Sequence, residues 1–164
     1  MAHLTGGAER QIQSMVRDRK GDAAPPPSFA PVDVAALSAS NAQRDIVMRE
    51  RLGDALLDAF ITQYDRLGQL LAQFGPVDWD TLCWHARQGA MPAREYVDLR
   101  IQELAIHDWD IRVAFEPEHH LAPESLPILV NWGRRTRRGT TWPPAGGTRE
   151  GPAPKVALYF LSAN

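Results

Sequence analysis

The chain has 164 residues, 44% of them hydrophobic, with a formal net charge of -2; it can bury a globular core, which excludes a wholly disordered protein. Its 18 basic and 20 acidic residues set up no global field that would draw nucleic acid or an anionic membrane. A single cysteine, Cys83, excludes an intrachain disulfide and a cysteine-rich zinc module and fits a reducing cytoplasm. No basic stretch leads into an apolar one at the N-terminus, and no window approaches the roughly 18 apolar residues of a membrane span. The expected protein is cytoplasmic, without a membrane or nucleic-acid partner.

Residues 2–19 carry Leu4, Ile12, Met15 and Val16 in a helical pattern that Gly6-Gly7 weakens. Pro25-Pro26-Pro27 removes backbone donors and imposes extended geometry, so a loop follows to about Val34. Ser40-Asn41-Ala42-Gln43 has capping-box spacing, and Ile46, Leu52, Leu56, Phe60, Tyr64, Leu67, Leu71 and Phe74 then recur at three- and four-residue steps. That pattern predicts one long amphipathic helix, stopped by Gly75-Pro76. Residues 79–88 fit a short helix or a loop. Gly89-Ala90-Met91-Pro92 opens the next helix, with proline in the tolerated first turn, and that helix runs to about Phe115. Its apolar stripe is Val97, Ile101, Leu104 and Ile111. Tyr96, Arg100, Glu103, His107 and Asp110 form an adjoining stripe, and Asp108 falls on the apolar one without an account. A further helix is predicted over 124–138, with Leu126, Ile128, Leu129, Val130 and Trp132 as its apolar content. Residues 139–154 have the glycine, proline and threonine of a linker, and Lys155-Val156-Ala157-Leu158-Tyr159-Phe160-Leu161 has the content of a strand. The expected organisation is a helical domain over 1–138, then a linker and the start of a truncated C-terminal domain over 139–164. One strand cannot stand alone, so it would begin a second domain or lie on the bundle.

Glu103 and His107 carry the chemistry. At about 100° per residue, positions four apart lie one turn above each other on one helix face, so a carboxylate and an imidazole can reach one ion. Asp110 falls on the same side and could orient His107 or a bound water, while Arg100 could pair with Glu103 or an anionic substrate. Two ligands do not make a site; a third must come from elsewhere. Other candidates have plainer explanations. Cys83 near His85 reads as a small buried hydrophobe. His119-His120, in a charged turn, reads as solvated. Arg134, Arg135, Arg137 and Arg138 suit the C-terminus of a helix, where cations meet the macrodipole, and no aromatic interleaving supports nucleic-acid binding.

Ala2-His3-Leu4-Thr5-Gly6-Gly7 and Glu103-Leu104-Ala105-Ile106-His107-Asp108-Trp109-Asp110 resemble two motifs of the mycothiol-dependent maleylpyruvate isomerase family. These are a histidine-leucine-small-glycine-glycine segment, and a glutamate, three aliphatics, histidine, small residue, tryptophan and aspartate. The likeness spans about residues 2–138, with Asp108 standing where a small residue is usual. It implies an all-α, DinB-like bundle with a divalent-metal site whose ligands are His3, Glu103 and His107. Two imidazoles and a carboxylate suit zinc and leave a coordination position open. The resemblance implies mycothiol as thiol cosubstrate and a small electrophile as substrate. In the isomerase, thiolate adds to a cis double bond of a maleyl group, rotation follows, and elimination restores the thiol; other members resemble thiol transferases. Family members have a further helix before the histidine segment, so a bundle lacking its first helix is expected here. Its open apolar groove is one that a second copy could cover, making a homo-oligomer. Full-length members continue into a sterol-carrier-like domain, which would begin at the C-terminal strand. The competing expectation is a metal-binding or interaction protein without turnover.

Overall fold

Helix α1 spans Ala2–Asp18 and continues through Gly6-Gly7. The structure, a computed structural model, describes residues 1–25, 34–116 and 118–139, without the side chains of 34, 35 and 135–139. Helix α2 spans Val34–Leu52, α3 Leu56–Leu71, α4 Ala93–Arg112 and α5 Leu126–Gly139. Strands β1 (Leu82–His85) and β2 (Gly89–Pro92) pair antiparallel in a small hairpin, with Cys83 opposite Met91. The described residues are thus all-α but for this hairpin, as the apolar periodicity predicts. The predicted strand at 155–161 and nearly all of the linker lie outside the described residues.

Two compact units divide the chain at Leu104 and Ala105. In the first, Ala8 and Met15 of α1, Leu67 and Leu70 of α3, Cys83 and Met91 of the hairpin, and Ala93 and Tyr96 of α4 form one buried cluster. Ile12, Tyr64, Leu71, Phe74, Val97 and Leu99 pack against it. Ser14 Oγ donates to the Trp84 carbonyl at 2.8 Å, which ties the hairpin to the middle of α1. In the second unit, Arg112 makes hydrogen bonds of 3.0 to 3.3 Å to the Glu116 carboxylate. The 3-10 turn Pro123–Ser125 leads into α5, where Leu129 is buried.

Four sequence expectations need correction. The long helix predicted from Ser40 to Phe74 is two helices. It begins earlier, at Val34, because Val34–Ala39 extends it without a breaker, and it is interrupted by a 3-10 turn at Gly53–Ala55 where Gly53 takes φ +50°. Glycine adopts that left-handed backbone without the strain a side chain would add. The break resets the helical phase: the α3 residues of the predicted stripe face inward or sideways, but Ile46 of α2 is 43% exposed. Secondly, 82–92 is a hairpin and not a helix start. Alternation at Cys83 and Met91 buries one face, and α4 begins only after Pro92. Thirdly, Ile111 of the predicted α4 stripe is 56% exposed, while Tyr96, from the adjoining stripe, is buried. Fourthly, His119 is not solvated: its side chain is 9% exposed, its Nε2 lies 3.1 Å from Asp108 Oδ2, and the Trp109 ring stands 5.9 Å away. Asp108 therefore sits off the apolar surface, partnered at the end of α4.

Met15 is fully buried at the centre of the first unit. Met15→Ala should lower stability by about 3 kcal/mol through lost burial and the cavity left behind, read as a shift in denaturant midpoint.

Candidate metal centre

The first turn of α1 is held by two contacts to the Met1 carbonyl: the Thr5 amide at 2.9 Å and Thr5 Oγ1 at 3.0 Å. This fixes the backbone around His3. The imidazole then lies between two carboxylates from other helices, with Nδ1 3.2 Å from Asp45 Oδ2 on α2 and Nε2 3.1 Å from Glu103 Oε2 on α4. His3 and Glu103 are 100 residues apart in sequence, so folding alone brings them together. The side chains of His3, Asp45 and Glu103 are 41%, 24% and 44% exposed, which leaves the group reachable from solvent. In sequence, His107 follows Glu103 by one helical turn of α4. Asp110 Oδ2 is 3.9 Å from His107 Nδ1, an ion-pair distance too long for a hydrogen bond.

The imidazole of His3 holds its proton above the ordinary 6.5. The hydrogen bond to Glu103 is the largest cause, burial opposes it, and Asp45 adds to the rise. Two carboxylates around one neutral ring would leave two negative charges in a small volume. A proton on the ring halves that charge, and a divalent cation cancels it, so the donor set fits a metal: imidazole nitrogens and a carboxylate oxygen are first-row metal ligands. The Asp45 contact also settles ring orientation. A carboxylate accepting from Nδ1-H turns Nε2 toward the ligand position, the arrangement common around metal-bound histidine.

Of the ligands expected from sequence, His3 and Glu103 meet in space, and His107 adjoins Glu103 through helix geometry. Asp45 was invisible in the sequence: it is 42 residues from His3, and no spacing rule links two helices joined by a loop. Arg100 is tied to α1. Its Nε donates to Gln11 Oε1 at 3.0 Å, and its guanidinium lies against α1 at Gly7, where an added Cβ would come within 2.5 to 2.9 Å of it. The second glycine of the His3 segment thus makes room for a cation. Cys83 is fully buried, its Sγ donates to the Met91 carbonyl at 3.5 Å, and burial pushes the thiol up to about 12. It is no nucleophile at neutral pH.

Residues 1–112 match the family model of the mycothiol maleylpyruvate isomerase N-terminal domain. No curated protein and no solved structure matches the chain.

Because the folded state binds the His3 proton more tightly than the unfolded chain, the stabilisation from this contact is complete below pH 6.5 and is lost as pH rises through the raised value. Histidine-ring NMR of metal-free protein should place the His3 midpoint above 6.5, and Asp45→Asn should lower it; an unmoved midpoint would contradict the Asp45 contact. Cys83 should resist iodoacetamide at pH 8 in the folded protein and react once it is unfolded.

Proposed function

Since the chain belongs to the mycothiol maleylpyruvate isomerase N-terminal domain family and has its all-α, DinB-like fold, we propose that His3, Glu103 and His107 hold one divalent metal, zinc by donor preference. On this reading the centre serves a low-molecular-weight thiol, mycothiol, in isomerisation of, or transfer to, a small electrophile. The observation that carries it is His3 Nε2 facing Glu103 Oε2 at 3.1 Å across two helices. Supporting it, Glu103 and His107 share one face of α4 a turn apart. A bound divalent metal would supply Lewis acidity that keeps a thiol sulfur as thiolate near neutral pH.

The chain's own residues would do the rest. Asp45 would accept the Nδ1 proton of His3 and keep Nε2 aimed at the ligand position. Glu103 would bring the negative charge that balances the cation, and His107 a neutral nitrogen from the next turn. No helix among the described residues is long and apolar enough to cross a membrane, in keeping with a small-molecule thiol and electrophile as partners. The proposed setting is the cytoplasm.

Metal analysis decides the first step. Wild-type protein should carry about one ion per chain and Glu103→Ala, His107→Ala close to none, following the loss of two of three ligands; equal metal in both would end the proposal. Metal affinity should rise with pH through the raised His3 value, because the ion must displace that proton. Turnover with mycothiol and a panel of electrophiles then separates an enzyme from a metal-binding protein without turnover, since metal retained with no product favours the latter.

A further inference from the structure

His119 lies in the second unit, beyond the end of α4, and the metal proposal gives it no role. It stands outside the helices, yet its side chain is sheltered from water. Nε2 lies 3.1 Å from Asp108 Oδ2 and donates to it, since an ionised carboxylate only accepts. Nδ1 is 3.7 Å from Glu116 Oε2, too far for a hydrogen bond. The Trp109 ring flanks the imidazole, with centroids 5.9 Å apart and the planes tilted by 42°. The backbone prepares this approach. The Glu116 amide donates to the Arg112 carbonyl at 2.7 Å and the His119 amide to the Glu116 carbonyl at 2.9 Å. The chain thus turns back at the end of the helix, and the His119 ring meets a residue 11 positions earlier.

The last turns of a helix have carbonyls without intrahelical donors, and they open at little cost unless something outside the helix ties them down. Apolar packing does little of this for α4: Ile111 in its last turn and Phe115 just beyond it are both exposed. Arg112 pairs with Asp108 at 3.9 Å and with Glu116 at 3.0 Å, but all three side chains are about half-exposed, and such pairs contribute little. The His119 contact differs because one partner is shielded from solvent. It also accounts for Asp108, a carboxylate near a helix C-terminus, where the macrodipole disfavours negative charge.

We propose that His119 is a positioning residue: through Asp108, and against Trp109, it clasps the returning segment onto the last turns of α4 and so holds in place the turn that carries His107. That His107 is a metal ligand rests on the metal reading; the clasp itself does not need the ion. His107 precedes Asp108 in the same turn, so any opening of the helix end that reaches Asp108 also releases the His107 ring.

Amide hydrogen exchange on chelator-treated full-length protein tests the clasp without any ion. Asp108→Ala is the sharpest variant, because helix propensity and the macrodipole both predict slower exchange at residues 107–112, whereas loss of the clasp predicts faster exchange. We expect exchange there to quicken about tenfold, the scale of one hydrogen bond to a charged acceptor, with the core amides of α1 and α3 unchanged. His119→Phe, which keeps a ring beside Trp109 but has no donor, should do the same, and His119→Gln, which restores an N–H, should recover most of the protection. Unchanged or slower exchange in Asp108→Ala, or no recovery in His119→Gln relative to His119→Phe, would overturn the clasp. Cobalt titration, followed by visible absorption, then reads the positioning role. Affinity should fall about threefold in Asp108→Ala and His119→Phe, because only chains with the turn formed present His107. Wild-type cobalt affinity together with quickened exchange would overturn that role. No cobalt uptake by the wild type would defeat the metal reading and the ligand clause with it, while the clasp still stands or falls on exchange.

Discussion

The His3 ring between Asp45 and Glu103 is the contact on which the site depends. Three helices reach it from positions 3, 45 and 103, and the ring stands between the two carboxylates. Both carboxylates favour the protonated form of the ring, against the opposing effect of burial. On the proposed reading, a divalent cation would take the place of that proton. Charge balance around His3 and the proposed metal chemistry would place the same demand on the geometry.

That demand explains why α4 looks poorly amphipathic. Its inward side carries Ala93 and Tyr96 in the core but turns polar at Arg100 and Glu103, which face α1. A helix that builds a site spends part of its buried face on polar groups, and each must find a partner. Arg100 finds Gln11, and the room it needs comes from Gly7. The glycine pair that weakens α1 as an isolated helix thus serves packing between α1 and α4.

The fold class and most helix positions were legible because apolar spacing at three and four residues survives without tertiary information. The hairpin was not, since Leu82–His85 and Gly89–Pro92 are too short to show alternation, and tertiary contacts such as Ser14 to Trp84 complete them. Glu103 and His107 were legible from spacing, because both sit on one helix. That His3 stands beside Glu103 could be expected only by likeness to a family motif, as nothing in its own surroundings points to a partner 100 residues away. The contact of Asp45 with His3, and that of Arg100 with Gln11, could not be read at all. Their meaning arises from groups brought together across tens of residues, and the expected continuous helix through Gly53 put the residues around Asp45 in the wrong phase.

The interruption at Gly53 separates two tasks that a single rod would couple. In one continuous helix, rotating the segment that carries Asp45 would also rotate Leu67 and Leu70 out of the core. With a left-handed glycine between them, the direction of α2, which carries Asp45, is set apart from that of α3, which carries Leu67 and Leu70. The carboxylate beside His3 and the packing of the core are thus entrusted to two separate helices.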